Sequence, residues 1–466
     1  MIVQLCYDKI KRKGEGIIKS KKKIERKLTY TQIIVLSFAA LILIGTFLLA
    51  LPISSRDGNW TEPLGALFTA TSSTCVTGLV VFDTYTHWSS FGQAVILILI
   101  QIGGLGFMTV VSMVSIFLKR RIGLRERRLL MQSAGTMRLA GIVEIVRRVL
   151  FGTFMFEGAG ALILATRFCP EMGLWKGIWN AVFHSISAFC NAGFDLMGSR
   201  APFSSLTYYR DDITVNITVM LLIIIGGIGF FVWDDIREKR FNFKKYEIHT
   251  KVVLITSAAL ILLPAVLFFI FEFNGNLADL TFGKKWLASL FMSVTTRTAG
   301  MNTISIADLS ESGKILTSVL MLIGGSPGST AGGIKTTTVA VLLLGMIATA
   351  RGNRSICIFK RRLDDSLWRQ ASSIFAIYII VVISALLLLG AADPLPLQDI
   401  LLEVTSAAGT VGLSTGITPT LSAISKITLI LLMFGGRVGC LSLVLVFAEK
   451  RQNVPLDMPV DKIMIG

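Results

Sequence analysis

Residues 29–52 carry no charged side chain, and the run is long enough to cross a hydrocarbon layer of about 30 Å. Comparable apolar runs lie near 91–118, 149–166, 213–233, 252–271, 315–349, 371–391 and 424–447, giving eight candidate spans. Only helices and closed barrels satisfy their backbone in lipid, and runs of this length predict an all-α polytopic membrane protein. The chain is 53% hydrophobic and 16% charged, against roughly 25% charge in an ordinary soluble domain. Its 46 basic and 29 acidic residues leave a net charge of +17. That excess alone would suit a nucleic-acid binder, but such proteins set their Lys and Arg on solvated faces. No nucleic-acid partner is expected.

The basic residues instead report topology. Lys and Arg favour cytoplasmic loops near span ends. Ten lie in 1–28, nine in 119–148, six in 237–251, six in 351–369 and three after 448, while 53–62, 195–212 and 392–403 are sparse. Basic and sparse connections alternate, so an even number of crossings with both termini cytoplasmic is expected, in the plasma membrane. The basic stretch 1–28 does not resemble a cleavable leader, and the first span is read as a retained anchor. The six cysteines are scattered without a CxxC pair, and His87, His184 and His249 stand apart. No metal site, cofactor or catalytic constellation is predicted.

A fourfold internal repeat organises the chain. Between paired spans sit shorter segments: LFTATSSTCVTGL (67–79), VFHSISAFCNAGF (182–194), LFMSVTTRTAGM (290–301) and LLEVTSAAGTVGLS (401–414). Each is rich in Ser and Thr and arrives at a glycine: Gly78, Gly193, Gly300 and Gly412. A doublet follows each: Gly103-Gly104, Gly226-Gly227, Gly324-Gly325 and Gly435-Gly436. The predicted architecture is four membrane–pore-loop–membrane repeats, eight spans plus four re-entrant pore helices around a central pore. The repeats are bounded at 29–120, 121–240, 241–362 and 363–448, with a basic segment 1–28 before them and a tail 449–466 after them.

Non-helical backbone at membrane depth must be buried in protein or line a cavity, so four such loops predict a shared axis. Short helices entering from outside aim their partly negative C-termini at the membrane centre, and a glycine can turn its carbonyl where φ > 0 is needed. A ring of carbonyls can replace the hydration shell of a monovalent cation. The bland alternative for any one tract is close helix packing through small residues; four tracts in register with four doublets argue against it. The doublets themselves fit helix crossings or kinks.

The motifs TCVTGL, FCNAGFD, TTRTAGMNT and GTVGLSTG together resemble the membrane subunits of the Trk/Ktr/HKT superfamily of potassium transporters, over nearly the full length. With only a basic segment before the first span, the chain is most similar to the Ktr type. The resemblance implies a K+ site lined by backbone carbonyls around the four glycines: Val76, Thr77 and Gly78; Asn191, Ala192 and Gly193; Thr298, Ala299 and Gly300; Thr410, Val411 and Gly412. Members with Ser at the first glycine favour sodium, so Gly78 points to potassium. The resemblance also implies a homodimer on a cytosolic ring of nucleotide-binding regulatory subunits, with K+ as the transported ion and a possible Na+ dependence. The basic segments fit contact with that ring, contact with anionic lipid, or topology alone.

In the third repeat, residues 326–338 read SPGSTAGGIKTTT, which cannot hold a regular helix mid-span. The resemblance makes 324–338 an intramembrane gating loop, comprising Gly325, Ser326, Pro327, Gly328, Ser329, Thr330, Ala331, Gly332 and Gly333. A nucleotide-binding P-loop is rejected, because Ile334 separates Gly333 from Lys335. Arg437 is a charge inside an apolar span, which is usually functional, and is expected to bond the loop; interhelical packing is the alternative. Lys335 fits the gate and the inner interface equally. Arg297 is read as a brace for the third tract. The runner-up function is a secondary transporter of a small solute, or a Na+-selective transporter of the same architecture.

Overall fold

The computed structural model describes residues 30–106, 142–240, 242–353 and 355–439. The basic segment 1–28, most of the basic connection 119–148 and the tail 449–466 lie outside the described residues. The described chain opens with α1 (Tyr30–Ala50), α2 (Pro63–Cys75), a single turn α3 (Thr84–His87) and α4 (Ser90–Leu105). Next come α5 (Ile142–Met172), α6 (Leu174–Phe189), α7 (Ile213–Ile228) and α8 (Phe230–Lys239). The third stretch holds α9 (Ile248–Glu272), α10 (Phe282–Thr295), α11 (Glu311–Leu322) and α12 (Thr336–Ala350). A two-residue hairpin, β1 (Cys357–Ile358) with β2 (Arg361–Arg362), leads to α13 (Asp365–Ala392), α14 (Leu397–Gly409) and α15 (Ala423–Val438).

Four of these helices, α1, α5, α9 and α13, are long and apolar enough to cross a membrane. The pair α7 and α8 makes a fifth span if its 93° bend is counted as one element. Among the described residues, the other apolar runs seen in the sequence are interrupted. Helices α4, α7 and α15 stop at Gly106, Gly229 and Gly439, whose φ angles of +83°, +102° and +94° do not continue an α-helix. Helix α11 stops at Leu322, and the chain becomes helical again only at Thr336.

The starts of α4, α7, α11 and α15 are fixed locally. Ser89, Asp212, Ser310 and Ser422 each accept a backbone N–H of the first turn on the side chain, a cap worth about 1 kcal/mol. The long helices turn their apolar side chains outward: Phe47 on α1, Leu263 on α9 and Leu387 on α13 are 66%, 67% and 70% exposed. The hydroxyl-rich helix α2 is the reverse, with Thr69, Thr71, Ser72, Ser73 and Thr74 buried. Greasy surface outside and hydroxyls inside is an arrangement that suits lipid, not water, as the surrounding solvent.

The short helices close a cycle. Helix α6 packs on α5, α7 and α4; α10 on α9 and α7; α14 on α13, α15 and α11; and α2 on α1, α4 and α15. Each short helix therefore meets the capped helix that precedes it in the cycle as well as its own long neighbour. The last unit packs back onto the first.

Candidate ion-conducting site

The C-terminal ends of the four short helices meet at one place, and the turn that ends them has a common form. The chain leaves α2 through Val76 at φ +57°, α6 through Asn191 at +58°, α10 through Thr298 at +68° and α14 through Thr410 at +53°. Each is followed, two residues on, by a glycine of positive φ: Gly78 at +92°, Gly193 at +73°, Gly300 at +77° and Gly412 at +99°. Left-handed residues separated by an ordinary one turn successive carbonyls the same way, where a helix would stack them along its axis.

Three of these turns are Schellman motifs. Thr77 N–H donates to Ser72 O at 2.8 Å, Ala192 N–H to Ser187 O at 2.8 Å and Val411 N–H to Ser406 O at 2.9 Å. Inside each, Val76 donates to Ser73, Asn191 to Ala188 and Thr410 to Ala407. The motif ordinarily has Gly at its left-handed position. Val76 and Thr410 are β-branched there, at a cost of about 1–2 kcal/mol each.

Side chains of the short helices brace the turns. Gly78 N–H donates to Ser72 Oγ at 3.0 Å and Gly412 N–H to Ser406 Oγ at 2.9 Å. In the other two, Ser187 Oγ donates to Phe194 O at 2.7 Å, and Thr295 Oγ1 donates to Met301 O.

The four glycines form a closed ring. A Cβ placed on Gly78 would lie 2.5 Å from the Ala192 carbonyl oxygen; on Gly193, 3.0 Å from that of Ala299; on Gly300, 2.2 Å from that of Val411; on Gly412, 2.3 Å from that of Thr77. Backbone of each turn thus faces the next in chain order, and the fourth faces the first. All twelve residues named from the sequence are brought together here. Among them Thr77, Asn191, Thr298 and Thr410 hold buried side-chain polar atoms without a protein partner among the described residues, which fits a polar interior.

The glycine doublets explain the close approach. A Cβ on Gly103 would meet Thr74 O at 2.0 Å, on Gly226 Phe189 O at 1.9 Å, and on Gly436 Ala408 O at 2.2 Å. Each of these carbonyls lies four residues before a ring glycine, so these three doublets seat α4, α7 and α15 against the ends of α2, α6 and α14, whereas the doublet after α11 meets Gly332 O instead.

The segment 323–335 folds as a lasso against this ring. Its ends pair: Gly324 N–H donates to Ile334 O at 2.8 Å, and Thr336 N–H to Gly325 O at 3.1 Å. Its body is held by the second unit, through Ser326 N–H to Gly227 O at 3.0 Å and Thr330 Oγ1 to Phe189 O at 3.1 Å. Phe230 N–H, just past the bend at Gly229, donates to Gly328 O at 2.8 Å. A Cβ on Gly332 would lie 2.0 Å from Thr410 Oγ1 of the fourth turn. Arg437 donates from Nη1 to Thr330 O and from Nη2 to Gly103 O and Gly104 O, tying the lasso to the first and fourth units. Lys335 Nζ donates to Ala331 O at 2.7 Å within the lasso. Arg297, also buried, points away from the ring and donates to Ser257 Oγ on α9 at 3.2 Å.

Sequence reasoning did not find the left-handed residues before the glycines, because nothing in Val, Thr or Asn announces that conformation. It also missed the docking of the lasso on Phe189, Gly226 and Gly227, which are remote in sequence. The short Ser and Thr braces were visible only as a hydroxyl-rich composition.

A family model described as TrkH, cation transport protein, matches residues 5–455. A relative from Enterococcus hirae, named potassium/sodium uptake protein NtpJ, is 39% identical over 96% of this chain and 99% of its own. The Ktr system potassium uptake protein B of Bacillus subtilis is 38% identical over 92% of this chain and 95% of its own. The crystal structure of the potassium transporter TrkH from Vibrio parahaemolyticus superposes with a TM-score of 0.72 at 18% identity, covering 91% of this chain and 86% of that one. That likeness is one of fold.

Proposed function

Because this chain belongs to the TrkH cation transport family, we propose that it is the ion-translocating subunit of a potassium-uptake system. The carrying observation is the closed ring of four glycine turns. In this reading the carbonyls of Val76, Thr77, Asn191, Ala192, Thr298, Ala299, Thr410 and Val411, with those of the glycines, replace the water of a dehydrating K+. The partly negative ends of α2, α6, α10 and α14 all point at the ring, which favours a cation and disfavours an anion.

The lasso 323–335 is the gate. It touches the ends of the second and fourth turns, so it lies across the route leaving the ring. Arg437 both holds it and places a positive charge there, a barrier to cations for as long as the loop is docked. The four turns contact one another in chain order around one ring, which supports a pore over a solute carrier built from inverted repeats. The names of two relatives, both uptake proteins for potassium, support a subunit that sits in the cell membrane, and the alternation of basic and sparse connections along the sequence supports cytoplasmic termini. A homodimer on a cytosolic ring of nucleotide-binding subunits fits a chain related to a component of a Ktr system.

Sodium is the competing ion, since one relative is named for both. One experiment decides: purified protein in liposomes, with K+ and Na+ flux measured separately. K+ flux exceeding Na+ flux is expected. Folded protein that passes neither ion, or passes Na+ in preference, contradicts the reading.

A further inference from the structure

Nine positions before each ring glycine stand Thr69, His184, Phe291 and Glu403. The turns contact one another in the cyclic order Gly78, Gly193, Gly300, Gly412, so the second and fourth face each other across the ring. Only those two units carry an ionisable side chain at this position, and His184 and Glu403 are both fully buried.

Each grips the chain as it leaves the ring. His184 Nδ1 lies 2.8 Å from Asn180 O on its own helix, so Nδ1 carries the hydrogen and Nε2 is free to accept. Nε2 accepts the N–H of Leu196, three residues past Gly193, at 3.4 Å. Glu403 Oε1 accepts the hydroxyl of Thr418. Thr418 Oγ1 lies 3.2 Å from Ser414 Oγ, and Ser414 Oγ accepts Gly416 N–H at 2.9 Å. Glu403 is thereby linked to the residue two beyond Gly412. The other two positions make no such link: Thr69 donates to Gly65 O on its own helix, and Phe291 is apolar.

The hydroxyl braces of the short helices reach no further than one residue past a ring glycine. The return chain beyond them needs another hold. We propose that His184 and Glu403 are positioning residues for ion discrimination, fixing the outgoing chain of the second and fourth turns and with it the width of the ring along one diagonal. They act through the backbone and touch no ion. The proposal rests on reading the ring as the filter.

The test is a double-variant cycle in liposomes, read as the ratio of K+ to Na+ flux. Glu403→Ala and Thr418→Val remove the same bond from its two ends. Each is expected to lower the ratio about tenfold, or about 1.4 kcal/mol, within what a lost buried hydrogen bond costs. The double variant should be no worse than either single one, because the pair shares one interaction. Glu403→Gln keeps an acceptor and should hold the ratio within about twofold, well under the tenfold step.

His184→Phe removes the second grip while keeping a ring; combined with Thr418→Val, its effect on the logarithm of the ratio should add, since the two act on different turns. An unchanged ratio in Thr418→Val with K+ flux intact overturns the proposal. So does full additivity of Glu403→Ala with Thr418→Val, or a Glu403→Gln as defective as the Ala variant. If Glu403→Ala does not fold, as judged by size-exclusion chromatography, the Thr418→Val and Gln arms suffice. Absence of K+ flux in the unaltered protein is a different failure, that of the transport reading itself.

Discussion

Gly78 combines a φ of +92° with a neighbouring carbonyl 2.5 Å from any Cβ it might carry. A side chain there is strained twice, by its own backbone and by Ala192. Gly78→Ser is expected to lower the K+ to Na+ flux ratio by at least about tenfold, an effect of about 1.4 kcal/mol, because the ring must widen to admit the new atoms. Gly283→Ala is the control: Gly283 lies in the first turn of α10 with nothing within 4 Å of its Cβ, and the ratio should not change. Equal ratios in both variants would count against the ring as the filter. At this scale the sequence was half legible. Gly78, Gly193, Gly300 and Gly412 stood out because glycine is the residue that positive φ favours. The left-handed Val76, Thr298 and Thr410 did not, because β-branched residues avoid that conformation and are held in it here by the braces and caps around them.

The lasso is an element whose two ends already touch. A Cβ on Gly324 would lie 3.2 Å from the Gly333 Cα, so removing 326–332 joins residues that are neighbours in space. Flux through the shortened protein is expected to rise by about tenfold or more if the loop contributes 1.4 kcal/mol or more to the barrier. A folded deletion variant with no flux would sink the assignment of the loop as a gate. Arg437→Gln tests the same element more gently. It removes a charge and contacts to Thr330, Gly103 and Gly104, and raised flux with unchanged ion preference is the expected result. Unchanged flux would mean that Arg437 only packs the helices together. The break in this helix was legible, since Pro327 and the glycines around it forbid a regular helix. The bend at Gly229 was not: hydropathy continues through 213–233 and carries no record of backbone direction.

For the whole molecule, the cycle closes when α2 packs on α15, so one chain completes the ring without a partner's help. Assembly should then modulate transport and not create it. Native mass spectrometry is expected to show two copies per particle, and flux per chain should persist in a variant held as a single copy. Loss of all flux in that variant would argue that the conduction path is shared between copies. Sequence by itself determined that the chain is a helical membrane protein with four related glycine tracts and one helix broken mid-span. Those are local properties, written in runs of apolar residues, in hydroxyls and in the positions of Gly and Pro. Membrane physics already predicted a shared axis for the four tracts; only the tertiary structure decided which turn faces which, that the lasso docks on Phe189, Gly226 and Gly227, and that His184 and Glu403 grip the chain beyond the ring. Those contacts join backbone groups far apart along the chain, and hydrogen bonds and close approaches of that kind follow from how the helices pack, which no local pattern records.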